Sequence, residues 1–264
     1  MQEFSAAYLR ESRRGLWDDD REALGPLSLD DRDRILDVGA GTGAFTQLLA
    51  EESDADLVAL DADRDLLAAV EIGELVLGDA SRLPIAADAV DLAVCQALLV
   101  NLPDPAVAVR ELGRVSSDLV AAVEPDNAAV SVDSTVPIEV DLARRARAAY
   151  IDGHGPDATL GAEAEALFRE AGLHDVRTTR HVRERTIEPP YADHHLREAV
   201  RKARATRIEA NRETFLSGEL TAAEFDDLRS DWRAMGRQVA GQMEAGEYRR
   251  SESLPIYVTI GRTG

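Results

Sequence analysis

The chain has 264 residues, of which 45% are hydrophobic and 30% are charged, and this composition predicts a folded globular protein. The single cysteine, Cys95, excludes an internal disulfide framework and a multi-cysteine metal site, so we expect no metal. We find neither a secretory signal pattern nor an apolar stretch of membrane-spanning length, and we expect a soluble, cytoplasmic protein without a membrane partner.

The net charge of −20 argues against a nucleic-acid partner, because phosphate binding needs a basic face. Lys202 is the only lysine, so 29 of the 30 basic residues are arginines. Acidic surfaces poor in lysine resemble those of salt-loving archaea, where ions screen the self-repulsion of the chain. We favour this halophilic interpretation over a GC-rich genome combined with an acidic surface.

Apolar runs alternate with helical patterns through residue 124, and this alternation predicts a parallel sheet built by right-handed crossovers. Asp104 and Pro105 mark one helix start, as a cap and a first-turn proline. The predicted strands are 34–38, 56–61, 74–77, 89–94 and 118–124, and the predicted helices are 44–53, 63–70 and 104–115.

The pattern changes after residue 124. Further helices are predicted at 137–150, at about 161–171 and through 193–245, and further strands at 175–188 and 254–261. We interpret residues 1–264 as a single domain with three parts. These are an N-terminal helical segment at 1–33, a cofactor-binding half at 34–124, and an acceptor half at 125–264 that contains the helical insertion of about 193–245.

One helix of that insertion is strongly marked. Thr221 and Glu224 form a capping box, and Leu220 and Phe225 occupy the two hydrophobic-staple positions. An apolar stripe at spacings of three or four follows. We expect it to pack within its own domain, rather than to serve as a substrate lid or a dimer seam. The stripe consists of Phe225, Leu228, Trp232, Met235, Val239 and Met243.

A glycine-rich turn, "ILDVGAGTGAFT" at 35–46, follows the first strand and carries Gly39, Gly41 and Gly43. Such a turn allows backbone N–H groups to approach a ligand closely. A nucleotide phosphate, a nicotinamide dinucleotide and S-adenosylmethionine are all candidates on the glycines alone, and a lone match to a dinucleotide fingerprint is weak.

Three carboxylates beside this turn choose among the candidates. Asp37 lies near the end of the first strand, Asp61 ends the second, and Asp79 follows the third, so all three are expected at one edge of the sheet. A pyrophosphate would meet unpaired negative charge there. S-adenosylmethionine suits the edge better, because its ammonium, ribose hydroxyls and adenine amine all donate hydrogen bonds and it has no phosphate.

These segments resemble the class I S-adenosylmethionine-dependent methyltransferases over about residues 34–124. "ILDVGAGTG" looks like their first motif, "LVALDAD" at 57–63 like the acidic second motif, and 78–105 like the third and fourth. "VAAVEPD" at 120–126 is similar to small-molecule members, including quinone-biosynthesis C-methyltransferases. The resemblance implies an α/β, Rossmann-like, doubly wound and mostly parallel seven-stranded sheet, here with helical insertions after strands five and six.

The resemblance also implies roles for individual residues. Asp37 and the glycine loop would face the methionine end, Asp61 would hold the ribose, and Asp79 the adenine amine. In the N-terminal stretch 8–17, an arginine such as Arg13 could pair with the cofactor carboxylate, although an amphipathic helix covering the sheet is an equal alternative. The remaining cofactor-binding predictions are Gly39, Ala40, Gly41, Gly43, Ala62, Ala80 and Gln96.

The acceptor chemistry is less defined. Methyl transfer is an in-line displacement, and a general base is needed only when the acceptor retains a proton. His154, His195 and Glu124 are candidate bases, and an exposed histidine without a role is the commoner outcome.

The resulting hypothesis is a methyltransferase for a small-molecule acceptor, as a monomer or homodimer. A protein or RNA methyltransferase, a nicotinamide-dependent oxidoreductase and a catalytically silent adenosyl-ligand binding module remain alternatives.

Overall fold

The computed structural model describes residues 21–264, which form two compact units. The first unit contains the described residues through Asp126, together with Leu160–His181 and Ile256–Gly264. The second unit contains Asn127–Thr159 and Val182–Pro255. The last two strands pass from one unit to the other.

The strands and helices follow in chain order with short 3₁₀ turns between some of them. The strands are β1 Arg34–Val38, β2 Asp56–Asp61, β3 Glu74–Leu77, β4 Val90–Gln96, β5 Ser116–Pro125, β6 Ser131–Ser134, β7 His174–Ile187 and β8 Arg250–Arg262. The helices are α1 Ala44–Glu52, α2 Arg64–Leu67, α3 Pro105–Val115, α4 Pro137–Gly153, α5 Ala164–Glu170, α6 Asp193–Arg204, α7 Thr206–Ala210, α8 Arg212–Ser217 and α9 Ala222–Ala245.

The first unit contains a mostly parallel sheet of seven strands in the order β3-β2-β1-β4-β5-β8, with β7 also paired to β8. The five strands from β3 to β5 run parallel, and β8 runs antiparallel to β5. From β1 the chain adds β2 and β3 on one side and then β4 and β5 on the other, as in doubly wound folds. This strand order confirms the fold class predicted from the sequence. Ligands of such sheets bind beyond the carboxyl ends of the strands, next to the point of reversal.

Burial explains why the central strands read as continuous apolar runs. Ile35, Leu36 and Val38 of β1 are each fully buried, as expected for a parallel strand covered on both faces. Successive side chains of a strand point to opposite faces of the sheet. In β2, Val58 and Leu60 belong to the main core cluster with α3, and Ala59 belongs to a smaller cluster beside α2 on the other face.

The structure differs from the predicted elements at several places. β5 begins at Ser116, directly after α3, and α2 is one turn long instead of spanning 63–70. β6 was not predicted, since its four residues include no apolar run. It pairs antiparallel with the beginning of β8, from Ser131 opposite Ser253 to Ser134 opposite Arg250.

The second unit is mainly helical and has its own core. The predicted capping box at Thr221 and Glu224 is confirmed, with both reciprocal hydrogen bonds present at the start of α9. The apolar stripe of α9 packs within this unit, as predicted, against residues of α4 and α8 such as Leu142 and Phe215. The insertion is divided into four helices, because the chain turns at Ala205, at Asn211 and before Thr221.

We predict that Thr221→Ala lowers the stability of the second unit by about 1 kcal/mol, because the Thr221 hydroxyl accepts a hydrogen bond from the Glu224 N–H. Urea unfolding followed by far-ultraviolet circular dichroism measures the change. Arg237→Ala, on the exposed face of the same helix, is the control and should leave the urea midpoint of unfolding unchanged. Equal transitions for Thr221→Ala and the control would contradict the prediction.

A second prediction concerns Asp118, which accepts hydrogen bonds from Arg32 and Arg262. The Arg32 hydrogen bond, with help from Arg262, lowers the pKa of Asp118 although partial burial opposes this. Its ionised form therefore stabilises the fold above the unfolded pKa of about 3.9, and this stabilisation is lost as the pH falls through the lower folded pKa.

Asp118→Asn should lower stability by about 1 kcal/mol at pH 7, a small effect because the carboxylate is partly exposed. The difference from wild type should shrink below about pH 4. Urea unfolding at pH 7, 5 and 3.5 tests this. A difference that is the same at every pH would show that the ionisation of Asp118 is not responsible.

Candidate functional site

The glycine loop joins β1 to α1 at the carboxyl edge of the sheet. Gly39, Gly41 and Gly43 all have positive φ, at 77°, 58° and 81°, a region that L side chains rarely adopt. The N–H groups of Gly39 and Ala40 donate to the Leu60 carbonyl at 2.8 and 3.0 Å. The loop is therefore fastened to the end of β2, the neighbouring strand.

Close packing adds a second requirement for glycine. A Cβ at Gly39 would lie 2.9 Å from the Leu98 side chain, and a Cβ at Gly43 would lie 2.9 Å from Val70. Both distances are shorter than carbon atoms tolerate, so the loop is shaped by its neighbours as well as by its dihedral angles.

Asp61 closes the loop from the side. Its Oδ2 accepts the Gly41 N–H at 2.7 Å, and its Oδ1 accepts the Asp63 N–H at 2.8 Å. A carboxylate has about four lone-pair sites, so each oxygen retains the capacity to accept a further hydrogen bond from a ligand hydroxyl. Asp61 thus fixes the loop and still has acceptor capacity.

Asp37 lies under the same loop and is buried, with 1% of its surface exposed. The Thr46 hydroxyl, in the first turns of α1, donates to Asp37 Oδ2 at 2.6 Å. A buried carboxylate is favourable only where such donors satisfy it. Asp37 therefore supplies negative charge directly beneath the turn.

Asp79 lies just past β3. Its Oδ1 accepts hydrogen bonds from the Ser81 hydroxyl at 2.7 Å and the Ser81 N–H at 2.8 Å, and these bonds lower the pKa of Asp79. Because both go to Oδ1, Oδ2 keeps its lone pairs. The edge thus presents a third ionised carboxylate with acceptor capacity for an amine.

Two polar atoms close to the loop have no hydrogen-bond partner within residues 21–264. These are Gln96 Oε1, at the end of β4, and Thr42 Oγ1, inside the loop. Leaving a buried polar atom unpaired costs about 1–3 kcal/mol, so such atoms indicate a ligand or water that is bound there in the working protein. The acceptor-rich edge fits S-adenosylmethionine, whose polar groups are mostly donors, and suits a phosphate poorly.

The three predicted alanines lie in different surroundings. Ala40 and Ala80 are buried, with 1% and 8% exposed, and Ala62 is exposed beside Asp61. Small side chains at these positions leave room next to the loop and the two carboxylates.

Glu124 is buried at the end of β5 and holds the segment after β4. Its Oε1 accepts the N–H groups of Leu98 and Leu99 at 3.0 and 2.9 Å, and its Oε2 accepts that of Val100 at 3.3 Å. Leu98 is the side chain that packs against Gly39. The carboxylate therefore positions one wall of the glycine loop.

Cys95 is fully buried beside this carboxylate, with its sulfur 3.9 Å from Glu124 Oε1. Burial, together with the negative charges of Glu124 and Asp37, raises the pKa of Cys95 well above its usual value. The thiol stays neutral and is a core residue, not a nucleophile.

The two histidine candidates lie in the second unit. His154 Nδ1 is 3.0 Å from the Pro156 carbonyl, and its ring contacts Tyr150. His195 contacts His194, with ring centroids 4.0 Å apart and ring planes tilted by 58°. Burial, His194 and Arg185 lower the pKa of His195, so its imidazole is neutral at pH 7. Arg13 lies outside the described residues.

The structure brings the predicted residues of the first unit to one edge, and it adds residues that the sequence analysis missed. Thr42 and Thr46 were not predicted, although both are hydroxyl residues in or just after the glycine loop. Glu124 holds Leu98 and Val100, which precede it in the chain by 26 and 24 residues. No local sequence pattern indicates this contact.

Two kinds of feature are absent from the described part of the chain. Residues 21–264 contain no group of three or more His, Cys, Asp or Glu side chains arranged to hold a metal ion. None of their helices has the length and apolar character needed to cross a membrane.

The chain is similar to known methyltransferases. Residues 36–118 match the family model described as a methyltransferase domain. This part of the chain is similar to methyltransferase domains. Over 98 residues the chain is 38% identical to the demethylmenaquinone methyltransferase of Mycobacterium marinum, a match that covers 36% of this chain and 42% of that protein. The aligned region is thus less than half of the length of this curated relative.

Solved structures share the methyltransferase fold over most of the chain. A candidate methyltransferase from Bacillus halodurans has a TM-score of 0.55 and 16% identity, covering 94% of this chain and all of that one. Haemonchus contortus phosphoethanolamine N-methyltransferase 2, solved with S-adenosylmethionine, has a TM-score of 0.54 and 14% identity, covering 98% and 57%. The resemblance to methyltransferases predicted from the sequence is confirmed by the matching family model, and these solved structures confirm the fold.

We predict that Glu124→Gln weakens binding of S-adenosylhomocysteine about tenfold and lowers stability by about 1–3 kcal/mol. An amide offers one acceptor oxygen where the carboxylate offers two, so part of the segment 98–100 loses its anchor next to Gly39. Calorimetric titration and thermal unfolding measure the two effects.

The exposed variant Glu170→Gln, on α5 of the same unit, is the control and should behave like wild type. If Glu124→Gln bound S-adenosylhomocysteine with unchanged affinity and lost only turnover, Glu124 would be acting as a base and not as an anchor.

Proposed function

We propose that the protein transfers a methyl group from S-adenosylmethionine to a small-molecule acceptor. The observation that carries this proposal is the set of three carboxylates, Asp37, Asp61 and Asp79, around the glycine loop. Polar atoms of Thr42 and Gln96 at this loop have no hydrogen-bond partner within residues 21–264. When bound, the cofactor supplies an activated methyl group on a sulfonium.

We assign the binding roles as follows. Asp61 accepts hydrogen bonds from the two ribose hydroxyls, and Asp79 accepts one from the adenine amine. Asp37 and the N–H groups of the glycine loop face the methionine portion, with Gln96 and Thr42 completing its polar contacts. Ala40, Ala62 and Ala80 leave the space that the ribose and adenine require, and an arginine at position 13 pairs with the cofactor carboxylate.

In this mechanism the protein aligns the acceptor with the methyl group and excludes water. A base is required only for an acceptor that keeps its proton. Of the three candidates, His195 fits that task chemically, because its pKa is lowered and the neutral ring can accept a proton at pH 7. Glu124 already accepts three backbone N–H groups, and His154 remains a second candidate.

Two features support a small-molecule acceptor over RNA or a protein. The net charge of −20 disfavours RNA. The relatives named for a substrate act on demethylmenaquinone and on phosphoethanolamine, which are small molecules. A nicotinamide-dependent oxidoreductase is disfavoured by the acidic edge, and a silent binding module would bind the cofactor without forming product.

We further propose that the protein works in the cytoplasm at high salt, as a monomer or homodimer. One lysine against 29 arginines, together with 50 acidic residues, supports salt adaptation.

Calorimetric titration with S-adenosylmethionine, S-adenosylhomocysteine and NAD, at low and high potassium chloride, tests the proposal. We expect the adenosyl compounds to bind and NAD not to bind. Asp61→Asn and Asp79→Asn should each weaken binding about tenfold or more, because each removes a charged acceptor.

Asp56→Asn is the matched control, since Asp56 lies at the opposite end of β2 from Asp61. NAD binding without adenosyl binding would overturn the proposal in favour of the oxidoreductase. Cofactor binding without methylated product from a metabolite mixture would favour the silent module.

A further inference from the structure

The segment between β3 and β4, residues 78–89, carries Asp79 but belongs to no helix or strand. Within it the Arg82 N–H donates to the Asp79 carbonyl at 3.0 Å, which closes a turn. The backbone polar groups that follow this turn need hydrogen-bond partners from outside regular secondary structure. Other parts of the first unit must therefore hold the segment in shape.

Two charged side chains of α3, Glu111 and Arg114, provide those partners. Glu111 Oε2 accepts the Leu83 N–H at 2.8 Å. Arg114 donates from Nη2 to the Leu83 carbonyl at 3.0 Å and from Nη1 to the Ile85 carbonyl at 2.9 Å. We call this pair of side chains the α3 clamp, because it holds both backbone polar groups of Leu83 and the carbonyl of Ile85.

The two side chains of the α3 clamp also fix each other. Arg114 Nε and Nη2 donate to Glu111 Oε1 and Oε2, each at 2.8 Å, in a two-pronged ion pair. These bonds lower the pKa of Glu111, so its carboxylate is ionised at pH 7. The side chains are 19% and 37% exposed, and an ion pair this accessible contributes little to stability by itself. Its distinctive effect is to hold the segment.

A chain of contacts leads from Leu83 back to Asp79. Leu83 is buried in the main core cluster, with 4% exposed. The next residue, Pro84, lies so close to Gly78 that a Cβ at Gly78 would be 2.7 Å from Pro84 Cδ. The Gly78 N–H in turn donates to the Asp61 carbonyl at 3.0 Å. The residue directly before Asp79 is thus enclosed between β2 and the segment that the α3 clamp holds.

We propose that Glu111 and Arg114 are positioning residues for the cofactor, and that they hold Asp79 where its carboxylate accepts the adenine amine. They act on Asp79 through residues 82–85. The proposal rests on the proposed function for the role of Asp79. Asp61 is fixed by the Gly41 N–H and not by α3, so the clamp acts on the adenine end of the ligand and not on the ribose.

Calorimetric titration of the full chain with two ligands tests this assignment. One ligand is S-adenosylhomocysteine, and the other is its analogue in which a hydrogen replaces the adenine amine. We expect wild type to bind S-adenosylhomocysteine about tenfold more tightly than the analogue, since only the amine donates a hydrogen bond to Asp79. Asp79→Ala, which lacks the acceptor, should bind the two ligands equally.

Arg114→Gln should reduce this preference to about threefold or less, because the Asp79 carboxylate remains but is no longer held in place. Its affinity for the analogue should stay within about twofold of the wild-type value. Arg114→Lys keeps the charge and should recover part of the preference. The exposed Arg110→Gln, on the same helix, is the matched control and should keep the full preference.

Glu111→Gln provides a second variant in case Arg114→Gln does not fold, and it should lower the preference in the same way. An α3 clamp that served stability alone would weaken both ligands by the same factor and leave the preference at its wild-type value. That result, or unchanged binding of both ligands by both variants, would overturn the proposal.

The wild-type titrations separate this proposal from the proposed function. A folded wild type that bound neither ligand would contradict the proposed function and, with it, the positioning of Asp79. A wild type that bound both ligands equally would contradict the role assigned to Asp79. A wild-type preference that persisted in Arg114→Gln and Glu111→Gln would contradict the α3 clamp alone.

Discussion

The hydrogen bond from the Gly41 N–H to the Asp61 carboxylate is the interaction on which the cofactor edge depends. It fastens a turn of positive-φ residues to the end of the neighbouring strand, while Leu60 holds the start of the same turn. Because Asp61 ends β2 in register with Leu77 of β3, the position of the loop is tied to the sheet itself. The geometry of the site therefore follows from the order of the strands.

Negative charge is concentrated at this edge, and each carboxylate is stabilised by its own donors. Asp37 has Thr46, Asp61 has backbone N–H groups, and Asp79 has Ser81. These hydrogen bonds satisfy part of the acceptor capacity of each carboxylate. The edge suits a ligand with an ammonium, ribose hydroxyls and an adenine amine but no phosphate, and the missing phosphate distinguishes S-adenosylmethionine from a dinucleotide.

The second unit follows a different electrostatic rule. Its buried Glu139 pairs with Lys202, and Glu252 pairs with Arg250. Carboxylates of this unit are thus neutralised by direct contact with cationic side chains, whereas the hydrogen bonds described for Asp37, Asp61 and Asp79 come from hydroxyl and backbone N–H groups.

The sequence by itself determined the alternation of strands and helices, the glycine loop, the three carboxylates and the capping box of α9, because each is encoded by residues adjacent in the chain. Only the tertiary structure decided the holding role of Glu124, the strand β6 and the buried ion pair of Glu139 with Lys202. Glu124 at the end of β5 contacts Leu98, which follows the neighbouring strand β4. Glu139 contacts Lys202, which lies 63 residues further along the chain. Contacts over such distances depend on register and helix packing, which local patterns do not specify.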